Sequence, residues 1–367
     1  MIINVVDAHS AGAPCRIVVG GLDTLGITGD TMLDKKRYVE TNHDWLRSTL
    51  LQEPRGHPAL NADLVVPPCD PAADVGLIIV NQRPVYPNMS GGNILCFVSA
   101  ILEAGVIPID PDNPITTVRV DTPAGLVTAR ATCTDGRVKQ VAVENVPSYA
   151  THLNHKLEVP GLGMLTVDVG FGGMFYVLVS AAELDLDMTA DATSEITEAG
   201  ERVRAAAAAD IRVDNPAAPE LSSVDAVMVY GPPHNPANSG RSAVVMPMLP
   251  GPPTAGFGTR ALIDRCPCGT ATCAQLAILH AKGLLREGQP YRQESLIDEV
   301  YTARIARTID ADIHHTRGGG ADGRRAVIPE LTGSAHLIAR SEIYVNDDDP
   351  LRHGFTVADI WPGRARP

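Results

Sequence analysis

An α+β fold is predicted by three features of this sequence. Strand-like runs outnumber helix-like ones, they do not alternate regularly with helices, and one helix pattern occurs twice. An order without regular β-α-β alternation speaks against a doubly wound parallel sheet and for helices layered on mixed sheets. With 367 residues the chain is long enough for two domains of ordinary size. Aromatic residues make up 4% of it, so the core must be built mostly from Val, Ile, Leu and Ala.

Taken in order, I-I-N-V-V at the start and C-R-I-V-V at 15–19 read as strands. Residues 34–51 read as one amphipathic helix, with Tyr38, Trp45, Leu46 and Leu50 turned inward. D-L-V-V-P-P and G-L-I-I-V read as short buried strands. Three β-rich runs within 115–146, joined by D-T-P-A-G and then by D-G, read as a meander. Two strands flank G-F-G-G within 162–180, and an alanine-rich helix follows over 194–210. Further strands are expected at 224–230, at 242–246 and from 302 to 345.

The repeated pattern appears when Ser90 is placed on Cys268, an offset of 178 (268 minus 90). S-G-G-N-I-L-C-F-V-S-A-I-L-E-A-G then lies over C-G-T-A-T-C-A-Q-L-A-I-L-H-A-K-G, with Gly91 on Gly269 and Gly105 on Gly283. Each copy reads as a reactive side chain, a glycine start, a helix of about three to four turns and a glycine stop. A duplicated plan with one reactive residue per half explains this. So does the general likeness of glycine-bounded helices, and both explanations stand at this point.

The chemistry follows from where Ser90 and Cys268 sit. A helix N-terminus carries N–H groups without intrahelical partners and a partial positive charge. A carboxylate can rest on those amides, and a cysteine there is expected to be a thiolate near neutral pH. Two such starts facing one ligand would hold its carboxylate and place a thiol or an alcohol on each face of its α-carbon. That suits removal of the α-proton of an amino acid without a cofactor. The same residues have plainer readings: Ser90 as an ordinary N-cap, Cys268 as a buried core thiol, Asp264 as the cap of the turn before it, and His9 and His57 as hydrogen-bonded structural histidines.

Other classes are excluded. A formal charge of −13 disfavours nucleic acid and anionic membranes as partners. No signal peptide and no membrane span is visible, and seven cysteines without small-scaffold spacing suit free thiols in the cytoplasm. Cys266, Cys268 and Cys273 lack C-x-x-C spacing and a second ligand pair, so no metal is expected. No G-x-G-x-x-G follows a strand, so no nicotinamide cofactor is expected. R-G-G-G-A-D-G-R-R, after His314 and His315, reads as a surface turn rather than a phosphate loop.

D-R-C-P-C-G-T-A-T at 264–272 resembles the second catalytic motif of the proline racemase family, which includes hydroxyproline 2-epimerases and trans-3-hydroxy-L-proline dehydratases. N-M-S-G-G-N occupies the place of the first motif, usually Met-Cys-Gly-His. D-A-H-S-A-G, E-P-R-G-H, D-T-P-A-G, G-F-G-G-M-F-Y and D-D-P-L-R-H-G-F fit as well, so the resemblance runs nearly end to end. It implies two pseudo-symmetric α/β halves of the diaminopimelate epimerase type with the site in the cleft between them. The first half would comprise residues 1–128 plus about 335–367 and carry Ser90. The second, 129–334, would carry Cys268. The resemblance further implies that Ser90 and Cys268 are the acid/base pair, that the backbone amides of Gly91, Gly92, Gly269 and Thr270 take the substrate carboxylate, and that Asp264 accepts from the ring amine. It implies no cofactor, a hydroxyproline or proline-like substrate and a homodimer.

The departures bear on the reaction. Ser90 replaces a cysteine, Gly92 a histidine, Asn93 a small residue, Ala271 a glycine and Cys266 a serine. A racemase needs two groups of similar acidity, and a hydroxyl needs an adjacent base that this motif lacks. An elimination needs one strong base and one hydrogen-bond donor. Dehydration of trans-3-hydroxy-L-proline to Δ1-pyrroline-2-carboxylate is therefore the expectation. A 4-hydroxyproline 2-epimerase, or an enzyme with both activities, is the alternative, and a binder of proline-like ligands without turnover is a third reading. Serine-first order is the reverse of the usual dehydratase arrangement, which leaves open the substrate face that Cys268 serves.

Overall fold

The computed structural model describes residues 1–82, 86–214, 222–247, 261–309, 326–357 and 361, with the side chain of Asp225 excepted. The R-G-G-G-A-D-G-R-R stretch, His314 and His315 lie outside the described residues. Contacts divide the chain into two compact units. One is formed by Met1–Val143 with Thr332–Arg364, the other by Glu144–Leu331.

In the first unit the elements are β1 (Ile2–Ser10), β2 (Ala13–Gly20), α1 (Met32–Asn42), α2 (Trp45–Leu51), β3 (Asn61–Val66), β4 (Val75–Val80), α3 (Gly91–Glu103), β5 (Ile115–Thr122), β6 (Gly125–Thr134) and β7 (Arg137–Glu144). The second holds β8 (Tyr149–Val159), β9 (Gly163–Phe171), β10 (Phe175–Ser180), α4 (Thr193–Asp210), β11 (Val224–Gly231), β12 (Gly240–Pro247), β13 (Ala261–Ile263), α5 (Gly269–Ala281), β14 (Tyr291–Glu294), β15 (Val300–Ile309) and β16 (Ala326–Gly333). The last strand, β17 (Ala335–Tyr344), pairs with β1 in the first unit. Few helices on mixed sheets make the fold α+β, as expected.

The two units share one pairing plan. From β17 through β1, β2, β3, β4 and β5 to β6 the senses run antiparallel, antiparallel, parallel, antiparallel, parallel, antiparallel. From β8 through β9, β10, β11, β12 and β14 to β15 the same six senses recur in the same order. Helix α3 packs on β17, β1, β2 and β6, and α5 packs on their counterparts β8, β9, β10 and β15. The offset of 178 holds in detail at the helix stops. Val106 N–H donates to Ile101 O and Gly105 N–H to Leu102 O; 178 positions on, Leu284 donates to Leu279 and Gly283 to His280. Gly105 and Gly283 take φ of 76° and 72°, a left-handed helix end that disfavours any residue with a Cβ. Chance likeness of two glycine-bounded helices does not explain a shared pairing plan and matching caps; a duplicated plan does.

The meander is β5–β6–β7, and its D-G turn, Asp135 and Gly136 at φ 52° and 69°, has both residues left-handed as a two-residue hairpin demands. The single helix expected over 34–51 is two. Thr31 and Asp34 close a capping box at the start of α1. The helix breaks at His43–Asp44, where the Asp44 carboxylate accepts from Arg47 at 2.6 Å and from the Tyr86 hydroxyl at 3.1 Å. The break changes the face presented: Leu46 and Leu50 are buried, but Tyr38 and Trp45 are only half-buried, and Val39 fills the core instead. Arg55 of E-P-R-G-H donates to the Arg352 carbonyl and to Asp349, and Glu53 pairs with Phe355. These two family-like stretches therefore knit the first unit together.

Candidate active site

Both singled-out residues stand at helix starts, each within its own unit. Tyr86–Met89 leads into α3 and is pinned down. The Tyr86 N–H donates to Glu40 at 3.0 Å, and Lys36 donates to the Asn88 side chain at 2.7 Å. Ser90 is the N-cap in extended conformation, and its carbonyl accepts from Ile94. Its hydroxyl makes no capping hydrogen bond. The plain N-cap reading does not describe it: the hydroxyl is left over for another partner. The N–H groups of Gly91 and Gly92 belong to the first turn and have no acceptor within the helix.

Cys268 is the N-cap of α5 and holds φ at +59°, a costly conformation for a residue with a Cβ. The surrounding loop enforces it. Cys268 N–H donates to the Cys266 sulfur at 3.4 Å, and the Pro267 carbonyl accepts from Thr272 and Ser242 hydroxyls. The Cys268 sulfur lies 3.8 Å from both the Tyr176 hydroxyl and the Thr270 hydroxyl, which share a 2.6 Å hydrogen bond. Asp264 accepts from both N–H and S–H of Cys266 at 3.3 Å, so it does cap its turn. Gly269 and Thr270 open the helix.

The glycines of G-F-G-G explain how the site is held. A Cβ on Gly172 would stand 2.1 Å from the Thr270 carbonyl and 2.7 Å from the Ala274 nitrogen. The β9–β10 turn thus presses directly on the first turn of α5, and Tyr176 follows from the same hairpin. Gly172→Ala should cost about 1–3 kcal/mol through overpacking and depress activity by displacing Thr270; denaturant unfolding and steady-state kinetics check both effects.

One expectation fails. Cys268 is not a thiolate near neutral pH: its pKa is pushed up to about 12. Burial raises it most and the Asp264 carboxylate adds to that, while the Ala271 amide, Thr270 and Tyr176 pull down less strongly. Asp264 is itself raised by burial. Among the described residues, none of the groups that act most strongly on Cys268 is a cationic side chain. Cys273 lies within α5 and interacts with Asn145 rather than with Cys266. Among the described residues no group of three or more His, Cys, Asp or Glu could hold a metal ion. The His9 ring accepts from Gly12 N–H and lies 5.4 Å from His336, as a structural histidine does; His57 is exposed.

Sequence reasoning missed a buried cluster beside the first turn of α3. Asn93 donates from Nδ2 to Asp63 Oδ1 at 2.9 Å, and the Cys15 thiol donates to Asp63 Oδ2 at 3.1 Å. Asp63 is fully buried, and burial raises its pKa from 3.8 to about 7 despite both hydrogen bonds. The folded state then binds the proton that the unfolded state has lost, so stability falls as pH rises from about 4 to 7. Asp63→Asn, which cannot ionise, should abolish a loss on the order of 4 kcal/mol; melting temperature against pH for both proteins reads this out.

The comparisons with known proteins agree along the whole chain. The proline racemase family model matches residues 5–356. A proline racemase of Clostridioides difficile is 33% identical over 354 residues, 96% of this chain and 97% of that one. A 4-hydroxyproline epimerase of Brucella suis is 31% identical over 353 residues, covering 96% and 98%. A crystal structure of a hydroxyproline epimerase from Agrobacterium vitis with bound trans-4-hydroxy-L-proline superposes with a TM-score of 0.83 at 30% identity, over 98% of this chain and 97% of that one. Two helix starts built on one plan, the C-P-C-G-T motif at the second and a family match from residue 5 to 356 lead to one conclusion: the chain belongs to the proline racemase family.

Proposed function

We propose that this protein dehydrates trans-3-hydroxy-L-proline to Δ1-pyrroline-2-carboxylate without a cofactor. The observation that carries the reading is the state of Cys268, a buried thiol beside a carboxyl, with no cation among the described groups that act most strongly on it. A ligand that brings its own cation supplies what the site lacks. The ring ammonium of an imino acid, accepted by Asp264, lowers the Cys268 pKa by direct attraction. The substrate thus generates its own base, and the first-turn amides of Gly91, Gly92, Gly269 and Thr270 take its carboxylate.

The thiolate of Cys268 removes the α-proton and leaves a carbanion. Its electron pair then forms the Cα–Cβ double bond as the Cβ–O bond breaks, and Ser90 gives its proton to the departing hydroxide, which leaves as water. The alkoxide left on Ser90 recovers a proton from solvent, the Cys268 thiol releases the α-proton, and the enamine tautomerises to the imine by gaining a proton at Cβ and losing one from nitrogen. A hydroxyl that caps nothing is free for that donation. Seven free thiols suit a reducing compartment such as the cytoplasm.

A second reading, 4-hydroxyproline 2-epimerisation, is favoured by the name of the Brucella suis relative at 31% identity, a 4-hydroxyproline epimerase. Incubation with trans-3-hydroxy-L-proline and, separately, trans-4-hydroxy-L-proline in D2O, followed by proton NMR, separates the two. Imine from the 3-hydroxy substrate supports the dehydratase. Appearance of the C2 epimer of the 4-hydroxy compound without imine from the other overturns it, and inertness toward both leaves a ligand binder.

A further inference from the structure

The buried cluster at α3 is not mirrored in the second unit. The counterpart of Asn93 is Ala271, 178 positions on, and it packs in an apolar cluster with Tyr176, Leu178, Ala226, Met228 and Val244. Both helix starts have a buried carboxyl nearby, but Asp264 is held by the turn before α5, whereas Asp63 is held by the third residue of α3 itself. Asn93 occupies the third position of α3, where a side chain commonly reaches back to the N-cap backbone. Here it turns inward to Asp63. That leaves the Ser90 N–H without this acceptor and brings a carboxyl against the turn.

We propose that Asp63 is a positioning residue for the Ser90 helix start: it fixes Asn93, and its charge state sets how tightly the first-turn amides of α3 hold a substrate carboxylate. The inference rests on the site reading proposed above. Neutral Asp63 leaves the partial positive charge of the helix start for the ligand. Ionised Asp63 places a negative charge behind the same amides and opposes the ligand's carboxylate.

The surroundings let Asp63 dominate this response. Strand β2 offers the Cys15 thiol, and α3 offers Asn93 and the buried Cys96 thiol, whose pKa is raised well above the usual value. Beyond Cys15, the Asp7 carboxylate of β1 is held in two hydrogen bonds by Arg16. Strand β4 presents no ionisable side chain, and α2 packs with Ala62 and Leu64 on the opposite face of β3, where its Arg47 is engaged by Asp44. The carboxyl of Asp63 itself changes state near pH 7.

The test is calorimetric binding of pyrrole-2-carboxylate, a planar analogue that stays anionic, to the intact protein from pH 5.5 to 8.5. Wild-type affinity should fall roughly tenfold as pH rises through about 7, the size expected for one charge in a partly screened site. Asp63→Asn cannot ionise; its amide oxygen keeps the hydrogen bond from Asn93, and its NH2 donates to the Cys15 sulfur in place of the bond that Asp63 accepted. It should bind at pH 8.5 as tightly as the wild type binds at pH 5.5. A wild-type affinity that is flat across this range overturns the inference and needs no variant. A fall that persists unchanged in Asp63→Asn overturns it as well. No binding at any pH overturns the site reading and this inference with it.

Discussion

Replacing Cys268 with alanine is expected to lower kcat by about a thousandfold, within the range for losing a general base, while melting temperature changes little. The small thermal effect follows from the setting: the loop is fixed by the Pro267 carbonyl and the Cys266 sulfur rather than by the Cys268 side chain. Alkylation gives the same residue a pH signature. A thiol with its pKa pushed up to about 12 reacts slowly at pH 7, and its rate climbs about tenfold per pH unit through pH 10. Saturating pyrrole-2-carboxylate should protect it. Mass spectrometry of the Cys268 peptide reads both effects, and rapid alkylation that levels off below pH 8 would contradict this account of the free protein.

Ser90→Cys should shift the balance of reactions. Two thiols at matched helix starts give one donor and one acceptor of similar acidity, the condition for protonating the α-carbon from either face. Epimerisation of a proline-like substrate should rise at least about tenfold relative to elimination. The variant is conservative in size, and the native hydroxyl is not used for capping, so the fold should tolerate it. Chiral chromatography of products from both hydroxyprolines measures the ratio. An unchanged ratio would mean that the identity of residue 90 does not set the reaction.

Local signals carried much of the fold. The glycine stops at 105 and 283, the D-G hairpin and the strands of the meander each depend on a few neighbouring residues, so the sequence exposes them. The break between α1 and α2 was hidden because Asp44 is held by both Arg47 and Tyr86, the latter 42 positions away. The Asp63 cluster was hidden for a related reason. Register between β2 and β3 and the packing of α3 bring residues 15, 63 and 93 together, and no short motif contains them. The Cys268 pKa was misjudged because helix-start amides are a local property and desolvation is not. The G-F-G-G glycines were visible as a motif, but their role, close approach to the first turn of α5, needs the packing.

The division of labour between Ser90 and Cys268 is tested most directly by α-deuterium incorporation into trans-3-hydroxy-L-proline in D2O, followed by proton NMR for Ser90→Ala and Cys268→Ala. Ser90→Ala should still exchange the α-proton while imine formation collapses, because the base remains and the donor to the leaving hydroxyl is gone. Cys268→Ala should show neither exchange nor imine. Exchange that survives in Cys268→Ala would place the base elsewhere and contradict the central claim.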